Sequence, residues 1–292
     1  MINSIEEYLS SLKIQMNGCD PATIQDAMAD AEEHLRVALE NSNSSADENI
    51  LQSIIEDYGT PEETAAAYRE LEIRFPSNFS KKTLENNQSP LTRFFSIFAD
   101  PGAWGAMLYM LLTLITGTIY FSWGISGLSI SLGTIILIIG LPITVLFLIS
   151  YRGIAIVEGR IVEALLGARM PRRPVFYRKD LPWIEKFKSI LFSKHTWLSL
   201  LYMILLFPLG IFYFCLFITL IALGLSLLAI PIIQYGFQIP IIWMGSNTYF
   251  IMDWAIPLVI IGGILILTLT MHLAKGIGKL HGKFAKSMLV SD

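Results

Sequence analysis

Residues 101–151 read PGAWGAMLYMLLTLITGTIYFSWGISGLSISLGTIILIIGLPITVLFLISY, without one Asp, Glu, Lys or Arg. Residues 195–274 are nearly as bare, with Asp253 their only formal charge. A helix needs about 20 apolar residues to cross a bilayer, and a core helix of a soluble domain does not stay uncharged this long. The first stretch has room for two crossings and the second for two or three. Helix is the expected form, because hydrocarbon leaves a chain no other way to satisfy its backbone N–H and C=O groups within one segment. Composition agrees: 53% of the 292 residues are hydrophobic and 15% charged, against about 25% charged in soluble domains.

The apolar part repeats itself. Trp104, Tyr109, Met110, Leu112, Gly117, Tyr120 and Phe121 return 93 positions later as Trp197, Tyr202, Met203, Leu205, Gly210, Tyr213 and Phe214. The copies also end alike, now 123 positions apart: Arg152-Gly153-Ile154, Gly159-Arg160 and Leu165-Leu166 answer Lys275-Gly276-Ile277, Gly282-Lys283 and Met288-Leu289. The change of offset places an insertion of 30 residues in the second copy, around 232–262. Two parallel hairpin repeats follow, with crossings expected near 103–125, 128–150, 197–219 and 254–273. The leftover apolar stretch 221–243, which holds Pro231 and Pro240, is expected to be re-entrant or a broken continuation buried against protein.

Residues 1–75 are of another kind, with 16 acidic and four basic side chains; the remaining 217 carry eight and 17. Four short helices can be read from their caps. Ser4 with Glu7 forms a capping box before Ile5, Tyr8, Leu9 and Leu12. Asp20-Pro21 opens a helix with Ile24, Met28, Ala31, Leu35 and Ala38 on one face. Ser45 with Glu48 precedes Ile50, Leu51, Ile54, Ile55 and Tyr58, closed by Gly59. Thr60-Pro61-Glu62-Glu63 starts a last helix with Ala65, Tyr68 and Leu71. Together they predict a small helical bundle, so the whole chain is expected to be all-α. Residues 76–93 read as a linker, and Leu91–Phe98 as an aromatic segment at the headgroup level. No basic leader precedes an apolar run at the N-terminus, so this domain is expected to stay in the cytoplasm.

Lys and Arg then fix the orientation. Ten lie between Arg152 and Lys194 and four between Lys275 and Lys286, while the opposite connections have none. The positive-inside bias puts both termini and the central segment in the cytoplasm and requires an even number of crossings. Arg172, Arg173, Lys275, Lys279 and Lys283 are the candidate basic contacts, either for anionic lipid or for the acidic domain docking on 152–194 or 275–286.

The order YLSSL, DAEEHL, IIEDYGTPEETAAAY over residues 4–75 resembles the HAAS signalling domain of bacterial membrane regulators, most specifically at Tyr58-Gly59-Thr60-Pro61. From about 94 to 290, DPGAWGAMLY, KHTWLSLLY, the Phe207-Pro208-Leu209-Gly210 turn and the closing GIGKLHGKFAKSML resemble the "putative sensor" membrane domain of two-component sensor kinases. The resemblance implies a multi-pass protein of the bacterial inner membrane. With no phosphoacceptor helix or ATP-binding domain before Asp292, sensing is expected to be reported through a cytoplasmic partner, a kinase or transcriptional regulator.

Catalytic motifs are missing: no H-E-x-x-H, no paired cysteines, no Gly-rich phosphate loop, no G-x-S-x-G. We expect no catalytic residue, cofactor, metal or nucleic-acid partner. The expected crossings hold no ionisable residue beyond His272 and Asp253, near their ends, which speaks against a proton pump or intramembrane protease. Trp104, Tyr109, Gly117 and Tyr120, with Trp197, Tyr202, Gly210 and Tyr213, are the candidate structural or signalling positions. Trp104 and Trp197 suit interfacial anchoring, and Gly117 and Gly210 close helix packing. Thr113, Thr116, Tyr120, Tyr202 and Tyr213 are candidates to line a lipid or small-molecule pocket. Two classes therefore stay open: a non-catalytic sensor, in which homo-oligomers are compatible with the sequence, and an accessory subunit of an exporter or lipid-handling complex.

Overall fold

A computed structural model describes residues 2, 4–42, 48–74, 89–134, 140–171 and 193–290. The N-terminal part is four helices: α1 (Ile5–Gln15), α2 (Pro21–Asn41), α3 (Glu48–Tyr58) and α4 (Pro61–Arg74). Three of the expected starts are in place. Ser4 Oγ accepts from Glu7 N at 3.1 Å, and Asp20 Oδ1 from Ala22 N at 2.9 Å. Thr60 and Glu63 cap each other, Glu63 Oε2 accepting from Thr60 N at 2.9 Å and Thr60 Oγ1 from Glu63 N at 3.3 Å. Ser45 and residues 76–88 of the linker expected at 76–93 lie outside the described residues, and the last four residues of that linker are helical rather than extended.

Tyr8, Leu12, Met16, Ala27, Ala31, Leu35, Leu51, Ile55 and Ala65 form the bundle core. Leu71, expected on the apolar face of α4, is instead 47% exposed, because the core ends a turn and a half before it. The Tyr58-Gly59-Thr60-Pro61 junction is fastened from α1. The Tyr8 hydroxyl donates to the Gly59 carbonyl at 2.8 Å and lies 3.0 Å from Thr64 Oγ1. Gly59 has φ +110°, a conformation in which a Cβ would be strained. His34 is exposed and stacks on Tyr58 with ring centroids 4.6 Å apart.

After a short helix, α5 (Pro90–Phe95), and a 3₁₀ turn at Ser96–Ala99, the chain enters a bundle of four long helices. These are α6 (Pro101–Thr134), α7 (Gly140–Leu166), α8 (Lys194–Pro231) and α9 (Ile256–Leu289). Among the described residues, three segments are long and apolar enough to cross a membrane: Pro101–Thr134, Lys194–Gly236 and Asp253–Leu289. The fourth, α7, carries Arg152, Glu158, Arg160 and Glu163 in its second half. Between α8 and α9 stand a π-helical turn, Ile232–Gly236, and an antiparallel hairpin, β1 (Ile242–Met244) and β2 (Asn247–Tyr249).

Three expectations change here. The break expected between 125 and 128 is absent, since α6 continues for 34 residues, about 51 Å at the usual helical rise. Residues 221–231 extend α8 to 38 residues, about 57 Å. Of the two forms expected, the stretch thus takes the broken continuation, with its break after Pro231 and with Leu223, Leu225 and Ile232 exposed rather than buried. The Phe207–Gly210 stretch is helical, with Pro208 inside α8, rather than a turn. Bilayer thickness was the ruler behind those boundaries, but a helix stops where its hydrogen bonding fails. That happens only past Pro231, where the chain turns into the hairpin.

The close approach of α6 to α8 sets the bundle's geometry. A Cβ on Gly117 would stand 2.7 Å from the Leu206 carbonyl oxygen, and one on Gly210 would stand 2.6 Å from that of Thr113. The two clashes correspond under the 93-residue offset. With Gly124 beside Ile204 and Phe121 stacked on Phe207, they show that α6 and α8 run antiparallel, so the two copies are not the parallel repeats that were expected. The helices cross with their backbones nearly touching. In hydrocarbon such contact is a main source of helix association. By contrast, Gly153 and Gly276 have nothing within 4 Å of a built Cβ.

Gly117→Ala or Gly210→Ala should therefore lower stability by about 1–3 kcal/mol through overpacking. Gly153→Ala and Gly276→Ala should be neutral or stabilise by up to about 1 kcal/mol through helix propensity. Thermal unfolding in detergent reads both pairs, and equal losses at all four positions would count against the crossing.

A second expectation concerns Tyr8. Tyr8→Phe should cost the N-terminal bundle about 1–2 kcal/mol, seen as faster labelling of Cys19, which packs against its core, during urea titration of the full chain with Cys215→Ser. Burial pushes the phenols of Tyr8 and Tyr58 above the usual 10. Phenols that hold their protons more tightly when folded contribute fully below that value and lose the contribution as pH rises past it. The urea midpoint should thus hold below pH 10 and fall above it.

Candidate functional site

The two tyrosines that define the repeat meet in the middle of the bundle. The hydroxyls of Tyr109, on α6, and Tyr202, on α8, are 3.3 Å apart. Two ionisable residues join them, Glu158 from α7 and His281 from α9. Tyr109 donates to Glu158 Oε1 at 2.7 Å, and Tyr202 approaches the same oxygen at 3.4 Å. His281 Nε2 lies 2.8 Å from the Tyr109 hydroxyl and 3.1 Å from that of Tyr202. Its Nδ1 is 3.2 Å from the Tyr213 hydroxyl. Tyr120 faces the Glu158 carboxyl without closing a hydrogen bond to Oε2, which has no partner. All six residues are buried, Glu158 and Tyr202 completely.

The repeat explains this convergence. Glu158 and His281 are 123 positions apart, the offset that relates the closing segments of the two copies. Tyr109 with Tyr202 and Tyr120 with Tyr213 are each 93 apart, the offset of the opening segments. Each copy thus supplies two tyrosines and one ionisable residue. If both Tyr109 and Tyr202 give their protons to Glu158, their oxygens can accept from His281 Nε2–H, and Nδ1 can then accept from Tyr213. Polar groups placed deep among apolar side chains must be paired in this way. The knot ties all four long helices together.

The candidates named from sequence distribute plainly. Tyr109, Tyr120, Tyr202 and Tyr213 join the knot, and Gly117 and Gly210 form the crossing. Trp104 and Trp197 are each about half exposed on the outer surface, and Trp104 Nε1 donates to the Phe98 carbonyl at 2.9 Å. Of the expected pocket residues, Thr113 and Thr116 instead bond backbone carbonyls of their own helix. Glu158 and His281 were missed, because the charges after 151 and 274 were taken to end the crossings. Their shared place in the two closing segments was the available signal.

At two different levels of the bundle each copy reaches to the other. Arg152 donates to Thr196 Oγ1, at the start of α8, at 2.6 Å. Its repeat equivalent Lys275 pairs with Asp100, at the start of α6, at 2.5 Å. Burial opposes the charge of Asp100, but Lys275 and the Gly102 N–H outweigh it and hold the carboxyl below its ordinary value. Lys279 and Lys283 are exposed on α9. Near the end of α9, Lys286 pairs with Asp20, the cap of α2. Arg172 and Arg173 lie outside the described residues. Among the described residues, no group of three His, Cys, Asp or Glu could hold a metal ion.

Residues 109–289 match the family described as "Putative sensor", a stretch that begins at Tyr109 and contains the whole knot. The chain belongs to this sensor family. Residues 7–67 match the HAAS domain, so the chain combines a sensor membrane domain with an N-terminal signalling domain. No curated protein and no solved structure matches the chain.

The knot of this sensor protein can be tested by deleting single hydroxyls. Tyr109→Phe should cost about 1–3 kcal/mol, and more than Tyr202→Phe, since Tyr109 makes the shortest contacts with both Glu158 and His281. The double variant should lose less than the sum, because the two share both partners. Thermal unfolding in one detergent gives all three values, and strict additivity would show that the hydroxyls act separately.

Proposed function

We propose that this chain is a membrane sensor with no catalytic activity of its own, passing a membrane or envelope stimulus to a cytoplasmic protein through its HAAS domain. One observation carries the reading: α9 holds His281 inside the knot and, five residues on, Lys286 against Asp20 of the N-terminal domain. Five helical residues span about 7.5 Å, so a shift at the knot moves the docking residue as part of one rod. A kinase or transcriptional regulator is the partner that suits such a relay. We place the protein in the bacterial cytoplasmic membrane with four crossings and both termini in the cytoplasm, a reading that rests on the distribution of Lys and Arg. The buried tyrosines and touching backbones between the copies favour a sensor over a transport component, which would need a wet path there.

The test uses the full chain with Cys215→Ser and Ser287→Cys. A membrane-impermeant thiol crosslinker should join Cys19 to position 287 in inside-out vesicles and not in right-side-out ones. The yield should fall as the Debye length shrinks from about 30 Å to about 8 Å, and Lys286→Glu should abolish it. No crosslink at low salt would sink the relay, and a crosslink only in right-side-out vesicles would overturn the topology.

A further inference from the structure

The insertion in the second copy is used neither by the knot nor by the docking contact. Its hairpin pairs Ile242 with Tyr249, Trp243 with Thr248 and Met244 with Asn247, around a turn in which Gly245 takes φ +61°. A two-stranded hairpin is marginal in water by itself, and this one is fastened at its base. Gln234, on the π-helical turn, donates from Nε2 to the Ile251 carbonyl at 2.8 Å and accepts from Ile251 N at 2.9 Å. Tyr235 donates to Asp253 Oδ1 at 2.7 Å, which engages the only charged side chain of the insertion. A clamp at its foot thus holds the hairpin out from the bundle.

The held-out surface is apolar on both faces. Trp243 is 71% exposed, Trp254 69%, Phe237 69% and Met244 68%, with no Lys, Arg, Asp or Glu from 232 to 252. An aromatic patch of this kind on a water-facing loop marks a contact surface. Its neighbour is settled by connectivity, since the hairpin joins α8 directly to α9. It is continuous with their outward-facing side chains, such as Leu225, Ile232 and Leu258. Tryptophan and tyrosine are the residues enriched where a membrane protein meets lipid headgroups.

We infer that the β1–β2 hairpin and its flanks are a lipid-binding surface, seated at the headgroup–acyl boundary of the leaflet opposite the N-terminal domain. Trp243, Trp254 and Phe237 insert, while the Gln234 clamp keeps the strands from being drawn further in. The surface is independent of the signalling reading and would stand without it.

The test places an environment-sensitive fluorophore on Met244→Cys or Met252→Cys of the full chain, with Cys19→Ser and Cys215→Ser, in phosphatidylcholine–phosphatidylglycerol vesicles. Lipids spin-labelled near the headgroup should quench most of the fluorescence, and a water-soluble quencher should take little. Trp243→Ser with Trp254→Ser should reverse that preference while thermal unfolding in detergent stays unchanged. Quenching by the soluble reagent alone in the unsubstituted surface would overturn the inference. So would protection from both quenchers that disappears as the protein is diluted among vesicles, which would mean that a second copy covers the hairpin.

Discussion

Everything in the membrane part depends on how closely two backbones can approach at Gly117 and Gly210. Lipid tails are as apolar as leucine, so burying side chains between helices gains little in hydrocarbon, and contact must come from packing and polar pairing. With a hydrogen in place of a side chain at each glycine, α6 and α8 come within van der Waals reach of each other's carbonyls. That crossing fixes where the next residues fall. Tyr109 and Tyr202, eight positions before each glycine, reach toward the crossing from opposite ends of the antiparallel pair and meet there hydroxyl to hydroxyl. Larger residues at the crossing would move the helices apart and stretch every bond in the knot.

The knot in turn decides the positions of α7 and α9. A carboxyl and an imidazole at those depths need partners, and the tyrosine pair is what the bundle offers them. Arg152 with Thr196 and Lys275 with Asp100 repeat the same logic away from the centre, each copy bracing the first helix of the other. The N-terminal domain meets α9 through Asp20 and Lys286. The exposed charges of Lys279 and Lys283 on the same helix leave that face basic toward an acidic domain.

Much of this was legible in the sequence, and the reasons are physical. Capping boxes are local chemistry, so Ser4, Asp20 and Thr60 gave three of the four N-terminal helix starts. The repeat gave the paired tyrosines and glycines, because a duplicated helix pair needs the same close approach twice. The helix ends were not legible, since neither bilayer thickness nor glycine in a row of good helix formers stops α6 at 125. Residue 221 likewise carries no terminator, and α8 runs on to Pro231. Glu158 and His281 were hidden by the assumption that a charge marks the membrane surface. Long tyrosines reaching down from α6 and α8 can bury an ionisable group well past that point. Leu71 shows the converse, an apolar residue in register with its stripe but beyond the end of the core it was expected to join.

The unlike chemistry of Glu158 and His281 has a consequence for how such a protein can be assembled. Two separate, identical hairpins packed in the same way would bring two carboxylates, or two imidazoles, to one pair of hydroxyls in a region of low dielectric. Like groups there disfavour each other's charged forms, and one partner would have to give up its hydrogen bonds. Joining the copies in one polypeptide frees them to diverge, so that one half brings the acceptor and the other the base. The covalent fusion is thus more than a convenience of expression: it lets a nearly symmetric scaffold enclose a centre that no symmetric dimer of either half could reproduce.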